Sequence, residues 1–146
     1  MTELIDHYGN FLSYTLINRS YINNIISSND DYLKVIGEFV QISKNENVYN
    51  AFSIENIKYE SADSLIDCIL NYQYQNKLLT SFIVNDDKIN GFIKSFNNDY
   101  LIVSELDYIS KSILSDIKIM IAEIKQIDYK SMLLYLLKDS VYSLLP

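Results

Sequence analysis

The sequence predicts a β-dominant α+β protein made of two tandem units, each a helix followed by five short strands, with a further helix toward the C-terminus. Two observations carry this expectation. Between Lys88 and Ile127, aromatic and β-branched runs alternate with Asn, Asp and Ser, the chemistry of meander strands and their turns. A fainter copy of the run lies upstream: Ile22, Asn23 and Ile26 fall on Ile89, Asn90 and Ile93, then Asp31, Tyr32 and Leu33 on Asp99, Tyr100 and Leu101, and Ile54 and Ile57 on Ile121 and Ile124. Self-similarity at a near-constant offset is the signature of a duplicated unit.

The first unit, residues 1–61, is expected to open with a helix over 2–14, where Leu4, Ile5, Tyr8, Phe11 and Leu12 recur at helical spacings. Strands follow at 13–18, 20–27, 32–43 and 48–54, with Gly37 as a bulge, and a short strand at 57–60 ends the unit. The second unit, residues 62–146, repeats the order. Its helix covers 65–75, with N-cap candidates from Ser61 to Ser64 and with Leu65, Ile66, Ile69, Leu70 and Tyr72 inward. Its strands lie at 78–84, 89–95, 100–108 and 116–122, and a helical turn from Ile121 to Ile124 precedes a last strand through Ile127, Asp128 and Tyr129.

With three glycines and one proline there is no flexible linker, so the two units should pack closely around a shared core. That core is expected to hold Ile22, Ile26, Leu33, Val35, Ile54, Ile57, Ile89, Ile93, Leu101, Val103, Ile121 and Ile124. The final helix, over 131–144, carries Met132, Leu133, Leu136, Leu137, Val141 and Leu144 and is too apolar to stay in water. Pro146 cannot continue it.

Asn90, Gly91, Phe92 and Ile93, then Asn98, Asp99, Tyr100 and Leu101, then Ile121 to Ile124, lay out a glycine, a turn, an Asp-Tyr-Leu strand start and an isoleucine pair. This layout resembles the Sm-like members of the small SH3-type β-barrels over most of residues 75–129, and more weakly over the first unit. The resemblance implies two closed barrels and, as one function, an Sm-like nucleic-acid- or nucleotide-binding module.

Charge argues for a different partner. The formal net charge is −7, the pI is about 4.6, and Arg19 is the one arginine. Phosphate backbones are held by Lys and Arg, so nucleic acid is disfavoured and a basic protein partner is favoured. A lone Cys68 fits a reducing, cytoplasmic setting. The first residues carry no basic, apolar leader, and no run is long and apolar enough to span a membrane.

No motif carries recognisable chemistry. His7 lies beside Asp6 and Tyr8 and reads as a surface residue, and Cys68 reads as an inert, buried thiol. The acidic pairs Asp30–Asp31 and Asp86–Asp87 lack calcium-loop spacing and read as turn residues. No catalytic residue, metal site or cofactor is therefore expected. The 13 tyrosines, too many for the core alone, suit a protein interface. Asp30, Asp31 and Tyr32, with Asp99 and Tyr100, are the expected partner-binding residues, set at equivalent turns of the two units. The function expected is a non-catalytic acidic protein, monomer or homodimer, that binds and inhibits a basic partner. A toxin immunity protein and a phage-encoded inhibitor of a defence nuclease, such as an anti-CRISPR, both fit. A structural or assembly protein of a mobile element is a further alternative.

Overall fold

The computed structural model describes residues 1–26, 30–55, 64–107 and 109–141. The strand expected at 57–60, the caps at 61–63, and Leu144 and Pro146 lie outside them. The fold is α+β and β-dominant, but the strands form one open antiparallel sheet, not two barrels. Strands β1 (Thr2–Ile5), β2 (Phe11–Ile17), β3 (Leu79–Val84), β4 (Asp87–Phe96), β5 (Tyr100–Asp107), β6 (Ser112–Met120) and β7 (Ile124–Ser131) lie in the order β1-β2-β7-β3-β4-β5-β6. Helices α1 (Asp31–Asn45), α2 (Leu65–Gln75) and α3 (Met132–Val141) complete the described elements.

From α2 onward the local signals produce the expected elements. Asn85 and Asp86 turn β3 into β4 with both residues at positive φ. Asn97 Oδ1 accepts from the amides of Asp99 and Tyr100 and fixes the β4–β5 turn. A 3₁₀ turn over Ile121–Glu123 breaks the chain between β6 and β7. Side chains on the two faces follow the period of two: Phe82, Val84, Ile93 and Val103 meet Ile69 and Leu70 of α2, whereas Leu79, Phe92 and Leu106 meet Leu134 and Val141 of α3. Of the final helix, Leu134 and Val141 are buried, while Leu133 and Leu136 stay exposed.

Upstream of α2 the duplication is overturned. The segment expected as a helix over 2–14 is a hairpin, β1–β2, whose turn puts Gly9 at φ 80°. The strand expected at 32–43 is the 15-residue helix α1. Asp30 caps it, accepting from the amides of Tyr32 (2.8 Å) and Leu33 (3.4 Å), and Asp31 sits favourably in its first turn. Residues 20–26 contain a 3₁₀ turn over Arg19–Tyr21 and no strand, and turns replace the strand expected at 48–54. Helix α1 therefore occupies the sequence position that the duplication assigned to the counterpart of β5. Ile22, Ile26 and Val35 are accordingly exposed, and the core contains Ile54, Ile93, Leu101, Val103 and Ile124 with Phe11, Phe82, Ile127 and Tyr129.

Gly37 is no bulge: it lies inside α1, facing open space. Gly9 is the opposite case. A Cβ there would stand 2.5 Å from the Val40 amide nitrogen and 2.6 Å from the Phe39 carbonyl carbon, because the hairpin turn rests directly on the α1 backbone. Chemical denaturation separates the two. Gly37→Ala should stabilise by about 0.5–1 kcal/mol, the usual helix-interior difference. Gly9→Ala should destabilise by roughly 2 kcal/mol or more, since both its backbone angle and its contact are incompatible with a side chain.

Candidate protein-interaction surface

The β1–β2 turn is built by Asp6. Its Oδ1 accepts from the amides of Tyr8 (2.9 Å) and Asn10 (2.8 Å), and its Oδ2 from Asn10 Nδ2 (3.2 Å). Burial alone would raise its carboxyl, but the Asn10 and Tyr8 hydrogen bonds and the neighbouring His7 outweigh it and hold the pKa below the ordinary aspartate value. The turn seats α1 from one side. Ser43 of α1 donates to Asn10 Oδ1 (3.2 Å) and lies 3.4 Å from the Tyr8 carbonyl. Beyond α1 the chain folds back, where the Phe11 amide donates to the Tyr49 carbonyl (2.7 Å) and the Tyr49 hydroxyl to Glu3 Oε2 (2.7 Å). Burial, then that bond to Glu3, pushes the Tyr49 hydroxyl well above its ordinary pKa.

Helix α1 is only half covered. Ile36 and Ser43 are buried, and Leu33 and Val40 are half-buried. Next to them on the wheel, Tyr32, Val35, Phe39 and Ile42 form a row at spacings of three and four, exposed by 64, 44, 38 and 56%. Acidic side chains flank this row: Asp31, paired with Lys34 at 2.8 Å in an exposed contact, and the exposed Glu38. The other α1 lysine, Lys44, lies over the Tyr49 ring at 4.6 Å.

Of the residues expected to bind a partner, Asp30, Asp31 and Tyr32 open this surface. Asp30 works as the helix cap, while Asp31 and Tyr32 face solvent. Asp99 and Tyr100 lie elsewhere, at the β4–β5 turn, where the Asp99 carbonyl accepts from the Ile121 amide (2.9 Å) and Lys118 covers the Tyr100 ring at 4.1 Å. The two clusters are therefore not equivalent turns, since one is a helix start and the other a hairpin. The apolar row of α1 has helical spacing in the sequence, but its aromatic and β-branched content also reads as a strand.

Elsewhere, a hollow of about 270 Å³ lies between the loop at Phe52 to Glu55 and the start of α3. Lys130 at its rim donates to the Glu55 carbonyl (2.7 Å), and burial lowers its ammonium pKa, with Glu55 opposing. The walls are mostly apolar, with the Phe52 and Tyr135 rings 5.0 Å apart. Across the sheet centre, Thr15, Asp128, Ser81 and Asn90 form one transverse row on β2, β7, β3 and β4. Thr15 Oγ1 and Gln126 Nε2 each donate to Asp128 Oδ1 at 2.8 Å, which satisfies a buried carboxylate from two sides. The His7 ring lies tilted against Tyr8 in the hairpin turn, with centroids 3.8 Å apart, and Cys68 lies half-buried on α2. Among the described residues no three His, Cys, Asp or Glu side chains converge, and no helix is long and apolar enough to cross a membrane. No protein-family model matches the chain, and no curated protein is significantly similar to it.

Because the folded pKa of Asp6 lies below the unfolded value, its contribution to stability is complete above the unfolded value and is lost as pH falls through the folded one. In a carboxyl NMR titration its midpoint should fall below the ~3.9 of a free aspartate. Asp6→Ala should remove that titration and loosen α1, read as faster amide exchange in residues 31–45 than in β3–β5.

Proposed function

We propose that this protein is a non-catalytic inhibitor that binds a basic protein partner through the exposed face of α1. A toxin immunity protein and a phage-encoded blocker of a defence nuclease are the roles this reading accommodates. The single observation that supports it is the surface itself: a row of large apolar side chains, beginning at Tyr32, left in water beside carboxylates on a chain of net charge −7. Contiguous apolar rows are seldom left exposed without a partner, and tyrosine with phenylalanine is the composition of interface cores. Acidic flanks steer basic partners and repel polyanions, which supports a basic protein over a nucleic acid.

Charge reversal tests this, provided Asp30 is spared, because removing the cap would cost about 0.5–2 kcal/mol of helix stability. Asp31→Lys with Glu38→Lys should lower the thermal midpoint only slightly, through loss of a favourable first-turn acid and its exposed pair with Lys34, and keep the fold intact. The double variant should retain basic proteins from a host lysate about tenfold less well than the parent. Retention by the parent should itself weaken as salt rises. Tight binding of labelled RNA or DNA by the parent at about 0.15 M salt overturns the reading.

A further inference from the structure

The geometry points to a cationic amphipathic helix, presented by a partner protein, as the element that docks on α1. This rests on the function proposed above and adds the shape of the ligand. Tyr32, Val35, Phe39 and Ile42 make a single ridge about 15 Å long, at 1.5 Å per residue. Such a ridge fits the groove between anchors spaced i, i+3/i+4, i+7 on a second helix. Tyr8, Phe39, Ile42 and Ser43 border a hollow of about 170 Å³ at one end of the ridge. A cavity of about 150 Å³ admits a benzene ring, so this hollow has room for one large apolar anchor.

Backbone accounting selects a helix over an extended peptide. A strand gains its affinity from main-chain hydrogen bonds, and a helix surface has satisfied its own amides and carbonyls already. Any segment that buries its backbone over α1 must bring its hydrogen bonds with it, as a helix does. Charge then selects the partner. The carboxylates of Asp31 and Glu38 border the ridge on its solvent side, while Lys34 is paired with Asp31 and Lys44 covers Tyr49. Lysine or arginine flanking the apolar anchors of the incoming helix completes the contact.

A second copy of the chain fits worse. The ridge is symmetric about position 37, so antiparallel pairing would set Val35 against Phe39 and Tyr32 against Ile42, which is sterically attractive. The same pairing puts both Glu38 side chains within one residue of the axis and joins two chains of net charge −7. An anionic lipid surface meets the same repulsion.

The test uses a fluorescein-labelled Lys/Leu peptide of about 18 residues, long enough for five helical turns, and a scrambled peptide of the same composition without an apolar face. Anisotropy titrations at about 0.15 M salt should show the patterned peptide binding at least about tenfold more tightly than the scrambled one. Val35→Ser with Ile42→Ser, both at exposed positions, should remove most of that difference while leaving the thermal midpoint in place. Glu38→Lys should weaken the patterned peptide and steepen nothing in its salt dependence. Equal binding of the two peptides overturns helix docking and leaves the basic-partner reading standing. Failure of both peptides to bind, even at low salt, overturns both. Sedimentation that shows a dimer abolished by the serine pair assigns the ridge to a second copy and overturns the proposal.

Discussion

The structure depends on where β7 inserts. This strand lies between β2 and β3, so the β1–β2 hairpin joins the rest of the sheet through β7. Residues along it tie down three separate elements, β2, α2 and the loop at Glu55. Asp128 accepts from Thr15 on β2, the Tyr129 carbonyl accepts from Gln73 of α2 (2.7 Å), the Tyr129 ring stacks on Tyr14, and Lys130 holds the Glu55 carbonyl. Tyr129 is among the largest fully buried side chains, which makes this strand the centre of packing as well as of pairing. Asp128 explains why the pairing has one register. A buried carboxylate left without donors is costly, and a slip by one residue would turn it to the opposite, apolar face.

The exposure of one face of α1 follows from how it is held. The Asp6–Gly9 turn and Ser43 fix the helix through backbone proximity and short polar contacts, with Ile36 as its buried apolar residue. A helix seated this way needs only part of its apolar arc for attachment. The remainder, from Tyr32 to Ile42, is free for another use, and the carboxylates beside it keep the exposed ridge solvated. The exposed apolar ridge and the attachment thus lie on adjacent sides of one helix.

How much of this was legible in the sequence divides at α2. From Leu65 onward the turn residues, the period-two strands and the two helices were readable because each is specified locally, as at Asn97 or at Asn85 and Asp86. Upstream, two local patterns misled. Leu4, Ile5, Tyr8, Phe11 and Leu12 have helical spacing by accident, because a five-residue turn sits between two strands. Asp6 followed by Gly9 and Asn10 was the signal for that turn. In α1 the β-branched and aromatic residues suggested a strand, although Asp30 before an i, i+3, i+4 pattern favoured a helix. The expected duplication rested on matched identities in a chain rich in Ile, Asn and Tyr, and identities do not report periodicity. Of the surface, the acidic start at Asp30 to Tyr32 was legible; the ridge behind it was not, because its exposure depends on which side of α1 meets the hairpin.

The position of β7 also sets a timetable for the nascent chain. Thr15 and its partner Asp128 are 113 residues apart, so β2 leaves the ribosome long before the strand that receives it exists. At about 5–20 residues per second, the hairpin waits on the order of 5–20 s with one edge unpaired. During that interval β3 to β6 can form as a meander of neighbouring strands, because each pairs with the next in sequence. The meander then presents the free edge of β3 to β7, and β7 offers its other edge to β2, made long before. Assembly of the sheet is therefore ordered, with the meander first and the hairpin captured last, and β7 is the step that commits the chain.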